Sequence, residues 1–170
     1  AVDSINLDIQ VYTDHTNVNA TLVMKRQTAG DLVLLGRDLE LKSITLNGKP
    51  LTANDYSLDA EQLVIANAPD EVILKTEVII HPESNTQLEG LYQAGSDLFV
   101  TQNEPEDFRK ITFYPDRPDV LSVFTTRVEA DKKFPVLLAN GNLMEAGETG
   151  EGRHYTIWED PTKKPADLFA

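Results

Sequence analysis

Ile5, Leu7, Ile9 and Val11 alternate with Asn6, Asp8 and Gln10, which predicts a strand with one face buried and the other wet. Val18, Ala20, Leu22 and Met24 keep the same period of two, and the polar stretch Asp14 to Asn17 between the two runs predicts a hairpin. Leu32 to Leu35 is a short apolar run ending at Gly36, compatible with a buried strand or a piece of helix. Leu39, Leu41, Ile44 and Leu46 lead into Asn47-Gly48, a dipeptide that supplies the positive φ values of a tight hairpin turn. Further strands fit Gln62 to Ile65, Val72 to Ile80, Val123 to Ala130, Pro135 to Ala139 and Arg153 to Trp158. Asn140-Gly141-Asn142 reads as a turn, and Gly147 to Gly152 as a hairpin loop. About nine or ten short strands separated by turn chemistry predict an all-β fold, an antiparallel β-sandwich. One short helix is expected near residues 105–111, with Pro105 in its first position and Glu106, Asp107, Arg109 and Lys110 placed to suit its dipole.

Composition narrows this picture little. The 170 residues suffice for a single domain, and 41% hydrophobic and 25% charged residues are ordinary values for a globular chain. No apolar run approaches the roughly 18 residues of a membrane span, and the first ten residues lack the features of a secretory signal. Charge excludes more. With 28 acidic residues against 15 basic ones, the net charge of -13 repels nucleic acid and anionic membrane surfaces and favours cationic ligands such as the α-ammonium of a peptide. Absence of cysteine removes disulfides and Cys-ligated zinc and suits a cytoplasmic setting.

Few residues carry candidate chemistry. His15, His81 and His154 are far apart and lack the i, i+4 spacing of a helical zinc site, so no metal ligand is assigned. Neither a phosphate-binding glycine loop nor a Gly-x-Ser-x-Gly elbow occurs, so no catalytic residue is assigned either. Asp116-Arg117-Pro118-Asp119 reads as a turn whose charges pair with one another and with backbone groups. Gln102 and Glu104 admit two readings. They stand where Asn103 or Glu104 would cap the helix starting at Pro105, or they are acceptors left free for a ligand.

A resemblance bears on that choice. Gly90-Leu91-Tyr92, Thr101-Gln102-Asn103-Glu104-Pro105, Phe108-Arg109 and Tyr114-x-Asp116-Arg117-Pro118-Asp119-Val120 resemble, in order and spacing, the N-terminal domain of the M1 zinc aminopeptidases. The likeness runs on through Phe134 to Asn142, Gly152-Arg153-His154, Lys164-Pro165 and Leu168-Phe169-Ala170, and so covers nearly the whole chain. It implies a saddle-like β-domain, residues 1–170, that packs on a thermolysin-like catalytic domain. It also implies that Gln102 and Glu104 bind the substrate's α-amino group. A carboxylate and an amide oxygen are the acceptors that an ammonium with three donors needs. Asn103 and Ala166 stand where the bacterial branch commonly has cysteine, a change that leaves the two acceptors in place.

The family's H-E-x-x-H zinc helix, its G-x-M-E-N loop and its catalytic tyrosine do not occur in these residues. The expectation is therefore a domain of a larger enzyme, ending before the catalytic domain, inactive alone and without zinc of its own. Its partners would be the peptide N-terminus and the catalytic domain of the same chain, and not nucleic acid or membrane. A stand-alone β-sandwich module that binds carbohydrate or peptide, or the interaction domain of a catalytically dead relative, would fit the local residues as well.

Overall fold

A computed structural model describes every residue, Ala1 to Ala170. Thirteen strands follow in order: β1 (Val2–Val11), β2 (Thr16–Lys25), β3 (Leu32–Leu35), β4 (Glu40–Leu46), β5 (Lys49–Pro50), β6 (Ser57–Leu58), β7 (Gln62–Ile65), β8 (Glu71–Ile80), β9 (Gly90–Gln93), β10 (Phe99–Gln102), β11 (Ser122–Asp131), β12 (Asn142–Gly150) and β13 (Arg153–Lys164). Single turns of 3-10 helix cover Pro82–Ser84, Phe108–Lys110 and Ala166–Leu168. The all-β expectation is borne out.

Eight strands form one open sheet in the order β12-β13-β11-β1-β2-β8-β4-β5, accompanied by a three-stranded sheet, β3-β7-β6, and the pair β10-β9. The period of two builds the main sheet. Ile5, Leu7 and Ile9 of β1 face the same side as Val18, Ala20 and Leu22 of β2 and Leu74 and Val78 of β8, all at most 5% exposed. Those side chains meet Leu34, Leu63 and Leu91 from the two small sheets in one core cluster. Each fully buried Leu or Ile there contributes roughly 1.5–3 kcal/mol of transfer free energy. Asn47 and Gly48 take φ of 49° and 83°, as a tight turn between β4 and β5 requires.

Four expectations need correction. First, β1 and β11 pair in parallel, from Ser4 opposite Val123 to Gln10 opposite Glu129, so the sheet is mixed rather than antiparallel throughout. Second, Pro135 to Ala139 belongs to no strand. Leu137 is buried there, whereas Val136 and Leu138 are 67% and 69% exposed. Third, most of the Gly147 to Gly152 segment lies in β12 and its hairpin with β13, and only Glu151 and Gly152 form the turn. Fourth, the helix near residues 105–111 is a single 3-10 turn that starts at Phe108, not at Pro105.

Pro105 instead occupies the second place of a tight turn in which the Asp107 amide donates to the Glu104 carbonyl at 3.1 Å. Glu106 in third place has φ of 82°, the value a type II turn demands there and one that disfavours a side chain. The chain then turns inward. All seven residues from Phe108 to Tyr114 are buried, and Phe108 meets Tyr114, Phe124 and Phe169 edge-on with ring centroids 5.1, 5.9 and 5.4 Å apart. The Tyr114 hydroxyl shares a hydrogen bond with Ser122, and burial pushes its pKa up to about 12.

Candidate functional site

Gln102 ends β10 opposite Gly90 of β9, and the next two residues leave the ladder. Alternation persists for one more step: Gln102 and Glu104 are exposed, whereas Asn103 is turned inward and half-buried. Gly90 makes the close approach possible. It holds φ of 73°, and a Cβ there would lie 3.1 Å from Lys110 Cβ. Beneath the loop the Lys110 ammonium is buried against the Glu89 carboxylate at 2.8 Å and contacts Gln87.

The capping expectation does not hold. The Asp107 carboxylate accepts the Glu104 amide at 2.8 Å, so the residue that closes the turn is Asp107, and neither Asn103 nor Glu104 caps it. The Glu104 carboxylate and the Gln102 amide make no hydrogen bond or ion pair within the chain, which leaves both free to accept from a ligand. Local sequence could have suggested Asp107, since Asp three residues after a turn's start is a common acceptor for its free N–H.

Two concavities bear on the site. An apolar groove of about 550 Å³ starts at Thr101, next to Gln102, and is lined by Leu98, Phe99, Phe134, Val136, Leu138 and Phe169 among others. A larger one, about 650 Å³, lies around Arg26, Asp31, Arg117 and Lys163 and includes neither Gln102 nor Glu104. Most of its charges are already paired: Arg26 with Asp70 at 3.1 Å and Arg117 with Asp119 at 3.1 Å. The apolar groove is therefore the better neighbour for a recognition site.

The remaining candidates take structural places. Asp116 is buried and accepts from the Arg109 backbone amide and Nε, each at 3.1 Å, whereas Arg117 and Asp119 pair on the surface. His15 and His81 come together on Asp14, His15 through its carboxylate at 2.7 Å and His81 through its backbone carbonyl at 3.1 Å. His154 lies elsewhere, with Nε2 2.6 Å from the Phe134 carbonyl. No three metal-binding side chains converge.

His81 also sits 2.9 Å from the Glu83 carboxylate, and that hydrogen bond, with the Asp14 carbonyl second, raises its pKa above the usual 6.5. A folded-state pKa above the unfolded one stabilises most fully below about pH 6.5, and the gain disappears as pH rises through the folded value. Because His81 is largely exposed, the gain is small. An NMR titration is expected to place the His81 midpoint above 6.5, and Glu83→Gln to bring it back. A midpoint that ignores Glu83→Gln would contradict the pairing.

Comparison with known proteins follows the same outline. The family model for the peptidase M1 N-terminal domain matches residues 3–168. Aminopeptidase N of Caulobacter vibrioides is 49% identical over 173 residues, a stretch that covers 100% of this chain and 20% of that protein. Among solved structures, Legionella pneumophila aminopeptidase A in complex with aspartic acid superposes with a TM-score of 0.92 at 31% identity, covering 99% of this chain and 20% of its own. The M1 zinc metallopeptidase of Deinococcus radiodurans, at 18% identity and a TM-score of 0.83, covers 99% of this chain and 40% of its own and shares the fold. The chain spans about a fifth of the length of the curated relatives it matches.

Proposed function

Because the chain belongs to the peptidase M1 N-terminal domain family, we propose that residues 1–170 serve as the amino-terminal domain of a zinc aminopeptidase and supply Gln102 and Glu104 to hold the substrate's α-ammonium group. The observation that carries this reading is the placement of those two side chains. Both are exposed and without internal partners, on the outer side of a loop whose inner side is anchored. An enzyme that removes residues from a chain end must recognise that end by its charge, and a carboxylate acceptor gives the stronger, charge-assisted kind of hydrogen bond.

Zinc in such an enzyme activates water and polarises the scissile carbonyl. The residues of this chain do not fit it, since no three of its ligating side chains converge. The metal would be held by the remainder of the polypeptide, and this domain's part is to bind and orient. The apolar groove beside Thr101, with Val136 and Leu138 more than two-thirds exposed at its rim, suits packing against a catalytic domain. The reading includes a cytoplasmic setting, which a cysteine-free sequence suits.

The full-length protein tests the proposal. It is expected to release N-terminal residues from peptides and to carry an H-E-x-x-H helix within about a hundred residues of Ala170. A protein that does neither would favour a stand-alone binding module.

A further inference from the structure

Between the two proposed acceptors, Asn103 points the other way. Its Nδ2 donates to the Phe169 carbonyl at 2.8 Å, across 66 residues of sequence. The backbone of Asn103 makes no hydrogen bond of its own, so this amide is the polar tie between that residue and the body of the fold. The partner is well chosen for rigidity. Phe169 is 4% exposed, wedged between Phe108 and Phe124 at centroid distances of 5.4 and 5.7 Å. Its neighbours are held as well: the Leu168 carbonyl accepts from Asn140 Nδ2 at 3.2 Å, and the Ala170 carbonyl from the Asn140 amide at 3.1 Å. Residues 166–170 thus form a clasped strap under the loop.

Resting on the amine-binding reading above, we propose that Asn103 is a positioning residue for α-ammonium recognition, which fixes Gln102 and Glu104 by tying their loop to the strap at Phe169. Pre-organisation gives this tie its effect. An ammonium held by two side chains needs both oxygens within hydrogen-bond reach at once, and a loop already fixed in place loses less freedom when the ligand arrives. The loop has left the β10 ladder at Gln102 and is caught again only by Asp107 at Glu104. Without Asn103 the intervening residue would be tethered by its neighbours alone. Its Oδ1 is buried without a partner, so the side chain is not placed there by a reciprocal pair of bonds. The donor half alone makes the tie.

A merely structural role and a positioning role differ in which ligands they affect. In the full-length protein, Asn103→Ala is expected to weaken inhibition by a free amino acid by about three- to tenfold, the effect of one neutral hydrogen bond. Inhibition by the des-amino acid of the same side chain should not change, and KM for a peptide should rise with kcat nearly constant. Asn103→Leu, close in volume and without the donor, should do the same, and it decides the matter if the alanine variant does not fold. Equal weakening of both inhibitors, or no weakening of either, would overturn the assignment. Glu104→Gln measured alongside separates the two levels. If it leaves amino acid inhibition unchanged, the amine-binding reading fails with everything that rests on it. If it weakens inhibition while both Asn103 variants match wild type, only the positioning role fails.

Discussion

Glutamine in place of Glu104 is expected to lower kcat/KM of the full-length protein for a peptide with a free N-terminus by about ten- to a hundredfold. A hydrogen bond to a charged group contributes roughly 1.5–3 kcal/mol, and each 1.36 kcal/mol is a factor of ten in rate. The substitution keeps the shape and removes the charge. Because the carboxylate has no partner within the domain, nothing inside the fold is left unpaired, and the thermal midpoint should not move. The loss should also vanish when the substrate lacks its α-amine, since an absent ammonium cannot miss a carboxylate. Kinetics within twofold of wild type on the free-amine peptide would refute the role.

The same region shows what sequence alone can and cannot reveal. β1, β2, β8 and β11 were legible because each has one wet face, and alternation reports burial directly. The parallel pairing of β1 with β11 was not: Ile5 lies opposite Phe124, 119 residues away, and no local feature marks it. The Pro105 segment has the residues of a helix start, but Phe108, Ile111, Phe113 and Tyr114 must all be buried along with the residues between them. A surface helix hides one stripe and leaves the opposite face wet, so an irregular path that buries every residue wins. Pro135 to Ala139 is a short apolar run such as a buried strand would have, yet it finds no neighbour to pair with. β12 was obscured by glycine and carboxylates, which an edge strand bonded on one side tolerates. Gly147 has its own reason, since a Cβ there would lie 3.0 Å from the Tyr155 hydroxyl. At the site, Gln102 and Glu104 stood out through family likeness, whereas the Asn103 tie to Phe169 spans 66 residues and leaves no local mark.

Asp116→Ala is expected to cost about 3–5 kcal/mol of stability, the usual result of breaking a buried ion pair from one side. Arg109 and Asp116 have side chains only 9% and 5% exposed. The carboxylate accepts both the Arg109 backbone amide and Nε, while Nη2 donates to the Asp116 carbonyl at 3.2 Å. Alanine would leave Arg109 Nε and its backbone N–H without their acceptor and the buried guanidinium without its counter-charge, with only the Nη2 bond to the backbone carbonyl remaining. For a domain of this size each kcal/mol moves Tm by roughly 2–4 °C, so a fall of about 6–20 °C is expected. Asp119 gives the contrast within the same four-residue turn. Its pair with Arg117 is 69% and 64% exposed, solvent screens it, and Asp119→Ala should cost at most about 1 kcal/mol. A double replacement, Arg109→Met with Asp116→Leu, should recover much of the loss, because it removes the stranded charge along with its partner. Thermal unfolding of the three variants decides the matter: an Asp116→Ala midpoint within about 2 °C of wild type would show that water reaches Arg109 after all. Since Arg109 belongs to the 3-10 turn that follows the Glu104 turn, the stability lost there is lost from the platform on which Gln102 and Glu104 are held.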